Sequence, residues 1–147
     1  MNYEFKKGSY IKADANAAGA MCEQLEKTVG LTPKNFLDAN RAEDAPLHGC
    51  FEWNDGAAAE LYREQQARHI INCLCIKSEE PKAEPIRAFF NIEKTVYEST
   101  VAIIRHEDKR AALLNQALRE LQAFERKYNT LCELEPIFEA AKNIKSA

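Results

Sequence analysis

Two histidines and two cysteines near the middle of the chain have a spacing at which side chains can share a metal ion. His69 and Cys73 are four residues apart, which places them on one face of a helix, and His48 and Cys50 lie in the connection before it. Such nitrogen and sulfur ligands could form a tetrahedral zinc site. Because the chain has no Cys-x-x-Cys pair and cysteine is among the most often buried residues, we expect ordinary packing, with no bound metal and no other cofactor.

The same segment contains groups that could act as a nucleophile or as an acid–base pair. Cys50 with His48 is the candidate nucleophile, and Glu52 with Asp55 is the candidate carboxylate pair. The sequence has no glycine-rich phosphate loop, nucleophile elbow or His-Glu-x-x-His motif. We therefore expect a protein that is not an enzyme, in which Asp55 caps a helix and the neighbouring aromatic residues fill the core.

A third set of side chains could bind nucleic acid, because arginine and glutamine pair with base edges while lysine and arginine neutralise phosphates. The candidates lie near the N-terminus, on the third predicted helix and in a predicted hairpin: Lys6, Lys7, Lys12, Arg63, Gln66, Arg68, Lys82 and Arg87. Residues 31–76 carry four basic and seven acidic side chains, so this region repels a duplex unless the acids point elsewhere. An exposed acidic surface would instead favour a basic protein partner, and its members would be Asp38, Glu43, Asp44, Glu60 and Glu64.

The composition limits the class of protein. The chain has 147 residues, 46% of them apolar, and a net charge of −3, which excludes a disordered chain and a bulk polyanion binder of the histone kind. The length fits one domain over residues 1–147, with one part at 1–105 and a C-terminal helical part at 106–147. Without a signal peptide or an apolar run of membrane-spanning length, and with an odd number of cysteines, we expect a cytoplasmic protein with reduced thiols and no membrane partner.

Capping signals predict the helices that position these residues. Asp14 and Thr32-Pro33 are typical of helix starts, and Gly30 is typical of a helix end. A third helix is predicted over residues 55–71, with Arg63 and Arg68 facing outward. From Cys73 onward the hydrophobic pattern repeats every two residues, as in a β-strand. Two such segments joined by a polar tip predict a β-hairpin. The second run would place on one face Ile86, Ala88, Phe90 and Ile92.

The longest predicted helix begins at His106-Glu107-Asp108 and continues to Tyr128, followed by a short final helix. Its apolar stripe must be covered either by the hairpin or by a second copy, so a homodimer through the C-terminal helices is one interpretation. The stripe consists of Leu114, Ala117, Leu118, Leu121, Phe124 and Tyr128. The element order predicts an α+β fold, mostly helical with a hairpin. Three helices before a hairpin indicate a winged-helix-like architecture.

Several short motifs resemble those of an uncharacterised family of small bacteriophage and prophage proteins. The resemblance is carried by Pro46-Leu47-His48, Phe51-Glu52-Trp53, Asp55, Tyr62-Arg63 and Gln66-Ala67-Arg68. Asn54 stands where the pattern has Asp, which still permits helix capping. The resemblance implies a phage setting and a bacterial host cytosol, and it carries no assigned activity.

These observations lead us to expect a non-enzymatic phage or prophage accessory protein that acts by binding a macromolecule. The first hypothesis is DNA binding through a winged-helix-like module. The alternative is a protein-binding inhibitor or adaptor directed at a host defence factor, and a further alternative is a small structural component of the virion. The position of the exposed basic and acidic side chains in the fold distinguishes DNA binding from protein binding.

Overall fold

The computed structural model describes residues 1–54, 57–80 and 83–144. The chain divides into two units, Met1–Val101 and Ala102–Ala147. Helices and two small antiparallel sheets make up the regular structure, so the predicted α+β class is confirmed. Among the described residues, no helix is long and apolar enough to cross a membrane.

The first unit combines helices with two small sheets. Its helices are α1 (Ala15–Lys27), α2 (Pro33–Ala39) and α3 (Ala57–Cys73). One sheet has the strand order β1-β2-β3 and contains β1 (Tyr3–Phe5), β2 (Leu74–Ile76) and β3 (Ile86–Arg87). The other sheet is a hairpin of β4 (Phe89–Glu93) and β5 (Val96–Ser99), and α4 (Thr100–Arg105) follows it.

Capping residues begin and end the first helices as the sequence predicts. The Asp14 carboxylate accepts a hydrogen bond of 2.8 Å from the amide of Asn16, and α1 begins there. The Thr32 hydroxyl accepts one of 3.0 Å from the amide of Asn35, with proline at the first position of α2. Gly30 adopts a φ of 87°, and its amide donates to the carbonyl of Leu25 at 2.8 Å just beyond the end of α1. The predicted cap Asp55 lies outside the described residues.

The predicted hairpin exists, but its second run divides between two sheets. Strands β2 and β3 pair antiparallel, with Cys75 opposite Arg87. Ala88 then ends this pairing, since its amide donates to the Leu74 carbonyl and its own carbonyl accepts from the amide of Thr100. The prediction that one strand places Ile86, Ala88, Phe90 and Ile92 on one face is therefore wrong. Beyond Ala88 the chain pairs with β5, Phe89 is fully buried, and Ile86 is exposed.

Tyr3 anchors β1 to α1 in the core of the first unit. Its amide donates to the Asn16 side chain at 2.8 Å, and its hydroxyl donates to the Glu23 carboxylate at 2.6 Å. Burial, followed by this carboxylate acceptor, raises the pKa of the Tyr3 hydroxyl. The ring lies directly over Gly19 of α1, where a methyl group would overlap it. The strand therefore needs glycine at this position of the helix.

The second unit contains the long helix and the short final helix that the sequence predicts, α5 (Glu107–Tyr128) and α6 (Glu135–Lys142). A 3-10 turn at Cys132–Leu134 lies between them and takes in Leu134, which the sequence assigned to the final helix. Helix α5 is about 33 Å long at 1.5 Å per residue. Phe138 of α6 is buried, and its ring lies edge-on to Phe124 at 6.2 Å. No described residue of α5 is fully buried. The homodimer through these helices stays a prediction.

The finer winged-helix interpretation also stays a prediction. Helices α2 and α3 pack against each other, but residues 40–56 separate them along the chain. This connection is much longer than the turn of about three or four residues in a helix-turn-helix motif. The strand β1 also adds a third strand beside the predicted wing.

Candidate functional site

Arg63 points into the molecule, and the prediction that it faces outward is wrong. Only 4% of its surface is exposed, and its guanidinium lies 5.1 Å from the Trp53 ring. The guanidinium donates to the carbonyl oxygens of Glu52 and Asn54 and to the Glu60 carboxylate. The irregular segment beside α3 offers carbonyl groups that no strand or helix satisfies, and the five donors of arginine can reach several of them at once. Arg63 is therefore a structural residue.

The motif residues around Trp53 form a second structural contact. The indole Nε1 donates to the carbonyl of His48 at 2.8 Å, and the two rings stack at 4.6 Å. His48 Nδ1 lies 3.1 Å from the carbonyl oxygen of Asn40. The fully buried Asn40 side chain in turn donates to Phe36 and accepts from the Leu47 amide. These bonds give Leu47, His48 and Trp53 a role in holding the 40–54 segment.

The four histidine and cysteine candidates do not come together. Cys73 Sγ lies 3.8 Å from the ring of His69, as their helical spacing predicts. His48 stacks on Trp53, however, and Cys50 Sγ contacts the carbonyl of Lys12 at 3.8 Å. Among the described residues, no group of three or more histidine, cysteine or acidic side chains could hold a metal ion. The candidate tetrahedral set of His48, Cys50, His69 and Cys73 therefore does not form.

We expect the cysteines to differ in alkylation rate, with exposed Cys132 modified first by iodoacetamide. Burial raises the pKa of Cys50, Cys73 and Cys75, so fewer of these thiols are ionised at neutral pH and each reacts slowly. Buried Cys22, whose pKa burial also raises, reacts only on unfolding. Mass spectrometry of labelled peptides over a pH series measures the order, and rates for the three slow thiols rise with pH. Rapid labelling of Cys50 at neutral pH would contradict this and support a nucleophile.

Three predicted cations meet in one groove, which we call the basic groove. It has a volume of about 760 Å³, and Lys6, Lys7 and Arg87 line it together with Asn72. The Arg87 guanidinium donates to the Asn72 side chain and, at 3.0 Å, to the Phe89 carbonyl. It also lies 4.7 Å from the Phe90 ring. The remaining lining residues are Glu4, Phe5, Cys75, Glu84 and Pro85. Among the described lining residues, three cations thus stand against two carboxylates, and hydrogen bonds fix the position of the Arg87 guanidinium.

A second groove, the tyrosine groove, has a volume of about 470 Å³. Tyr10 and Tyr62 line it and expose 94% and 53% of their surfaces. The other lining residues are Ser9, Ile11, Lys12, Gly49, Cys50, Gln65, Gln66, His69 and Ile70. No carboxylate belongs to this described lining, and Lys12 gives it a positive charge.

The two grooves are neighbours, because the same two segments line both. Helix α3 contributes Asn72 to the basic groove and His69, one turn earlier, to the tyrosine groove. Residues 6–12 likewise run from the first groove to the second. His69 Nε2 lies 3.5 Å from the Ser9 carbonyl, and the Ser9 amide donates to the Lys6 carbonyl at 3.1 Å. We call the two grooves together the α3 strip.

The α3 strip contains five of the eight predicted nucleic-acid-binding residues. Lys6, Lys7 and Arg87 line the basic groove, and Lys12 and Gln66 line the tyrosine groove. The Gln66 side-chain oxygen accepts from the Glu52 amide at 3.1 Å. Of the remaining three, Arg68 is exposed on α3, Arg63 is buried, and Lys82 lies outside the described residues. Tyr10 and Tyr62 line the strip although the sequence does not predict them as site residues, since an aromatic residue in a sequence is as typical of a core as of a surface.

Two members of the predicted acidic surface are paired within the protein. Arg41 Nε lies 2.8 Å from the Asp38 carboxylate, and its Nη2 pairs with Glu60, which also binds Arg63. Neither acid lines the α3 strip. The negative charge counted along residues 31–76 is thus partly neutralised away from both grooves.

Comparisons with protein-family models, with curated proteins and with solved structures give no match to this chain. The resemblance of its motifs to small phage proteins stays a prediction from the sequence. The functional proposal therefore depends on the geometry and charge of the α3 strip.

Proposed function

We propose that this protein is a non-enzymatic nucleic-acid-binding protein that contacts phosphates through the basic groove. The observation that carries the proposal is that Lys6, Lys7 and Arg87 line one groove although the arginine is distant in sequence. Phosphate neutralisation by lysine and arginine supplies most of the affinity of sequence-independent nucleic-acid binding. The tyrosine groove, whose described lining has no carboxylate, continues the same surface and adds Lys12.

The overall negative charge does not oppose this proposal at the scale of the groove. Interactions between exposed charges are largely screened beyond about 8 Å at physiological salt, so the nearest side chains dominate. Among the described residues that line the basic groove, the acids are Glu4 and Glu84, and they leave the cations in excess by one. We expect weak binding, with three or four phosphate contacts and a steep dependence on salt.

Fluorescence anisotropy with labelled single strands and duplexes of DNA and RNA, about 20 nucleotides long to exceed common site sizes, tests the proposal. The logarithm of the binding constant should fall with the logarithm of salt concentration with a slope of about −2 to −4. Replacing Lys6 and Lys7 together by glutamine should make the slope shallower by about 1 to 2.

The matched control replaces Lys34 and Lys94 by glutamine, since both are exposed and neither lines the α3 strip. It removes the same net charge and should leave the salt slope unchanged. No binding of any nucleic acid by micromolar protein at low salt would overturn the proposal. Equal weakening by both double variants would show that no particular groove is used.

A protein-binding inhibitor or adaptor is the second candidate, and one observation favours it. Leu61 and Tyr62 are neighbours on α3 and expose 67% and 53% of their surfaces. Tyrosine and arginine are frequent in the centres of protein interfaces, and Arg68 is exposed further along the same helix. A phage or prophage setting for either function remains part of the proposal, supported by the motif resemblance alone.

A further inference from the structure

Tyr10 is an aromatic residue that the fold holds out of the core. Its side chain is 94% exposed, and its φ of 55° makes it the one described non-glycine residue in the left-handed region. This conformation is unfavourable for a bulky aromatic residue, and such residues concentrate at functional sites. The unusual backbone and the exposed ring together make Tyr10 a candidate ligand-contacting residue.

The tyrosine groove combines three kinds of group that a nucleotide needs. Tyr10 and Tyr62 offer aromatic rings for base stacking, and Gln65 and His69 offer polar groups for base edges. Lys12 offers a charge for a phosphate, and no carboxylate lines the described wall. The volume of about 470 Å³ lies within the range of about 300 to 1,000 Å³ typical of small-ligand sites.

The distance along α3 suits a short single strand. From Tyr62 to Asn72 the helix rises about 15 Å at 1.5 Å per residue. Phosphates of one strand recur every 3.4 Å or so in stacked DNA, so about four or five of them cover this length. Binding sites of single-strand proteins begin at about four nucleotides. In a duplex the bases are already stacked and paired, so their faces cannot reach an exposed tyrosine.

We infer that the tyrosine groove binds the bases of a single-stranded nucleic acid, with Tyr10 stacked on a base and the phosphates continuing along the basic groove. This inference rests on the proposed function and adds the strand form and the aromatic contacts. Tyr10 is the residue expected to discriminate single strands from duplexes.

Two substitutions separate the Tyr10 ring from its backbone. Tyr10→Asn removes the ring and keeps a residue that tolerates the left-handed conformation, whereas Tyr10→Phe keeps the ring. We expect the wild-type protein to bind a single strand more tightly than the matching duplex. Tyr10→Asn should weaken single-strand binding about 5- to 100-fold, and Tyr10→Phe should leave it within about 3-fold. Thermal unfolding of both variants verifies that the fold is retained.

The emission of 2-aminopurine placed in the strand provides a direct measure of stacking. It should change on binding to wild type and to Tyr10→Phe, and change less on binding to Tyr10→Asn, which keeps only the Tyr62 ring. If single strands and duplexes bind equally and Tyr10→Asn binds like wild type, the inference is wrong, while sensitivity to the Lys6 and Lys7 substitutions would still support the proposed function. If no nucleic acid binds, both fail together.

Discussion

Replacing Arg63 by methionine will lower the free energy of unfolding by about 2 to 4 kcal/mol, because hydrogen bonds to a charged group contribute about 1.5 to 3 kcal/mol each. The side chain is 4% exposed and donates to two backbone carbonyl oxygens and to Glu60. Methionine fills much of the same space but satisfies none of these acceptors. The Glu60 carboxylate keeps its pairing with Arg41, whereas the carbonyl groups of Glu52 and Asn54 lose the guanidinium donor. Urea denaturation followed by circular dichroism measures the change.

Arg68→Met is the matched control for this prediction. Arg68 is exposed on the same helix, and substitutions at such positions change stability by about 0.5 kcal/mol or less. The two variants lose the same charge and gain the same side chain, so their difference isolates the buried contacts. Equal stability of the two variants would show that Arg63 does not hold the segment around Trp53.

Replacing Gly19 by alanine will destabilise the protein by about 1 to 2 kcal/mol. A methyl group here overlaps the Tyr3 ring, which cannot easily move because its hydroxyl and amide are both hydrogen-bonded to α1. Overpacking costs about 1 to 3 kcal/mol or more. The better helix propensity of alanine offsets only about 1 kcal/mol. Thermal and urea unfolding of the variant provide the measurement.

Two further variants separate the steric effect from helix propensity. Ala20→Gly, at the exposed neighbouring position, should cost about 1 kcal/mol from propensity alone. In a Tyr3→Leu background, Gly19→Ala should cost less than in wild type, because the overlapping ring is gone. Stabilisation by Gly19→Ala in the wild-type chain would mean that Tyr3 does not pack on this glycine.

The basic part of the candidate site was predictable in its members but not in its arrangement. Lysine and arginine are seldom buried, so residue type alone predicts that Lys6, Lys7 and Arg87 are exposed cations available to phosphates. Their meeting in one groove depends on β2, which pairs with β1 on one side and β3 on the other. Strand pairing between distant segments leaves no local signal in a single sequence.

The sequence does not distinguish the buried Arg63 from the exposed Arg68. Both lie on α3, and the helix has no continuous apolar stripe that would reveal which face is inward. Arg63 is buried because it donates to the carbonyl groups of residues 52 and 54, which lie in no helix or strand, while Arg68 is exposed. Because α3 has no such stripe, the sequence also does not predict that Tyr62 is exposed.

By itself, the sequence determined the features whose causes are local: the caps at Asp14 and Thr32, the end of α1 near Gly30 and the bounds of α5. Each depends on hydrogen bonds or backbone angles within a few residues. Only the tertiary structure decided the sheet exchange at Ala88, the burial of Arg63 and the assembly of the α3 strip. These features depend on which acceptors and surfaces distant segments bring together, and no local pattern encodes that choice.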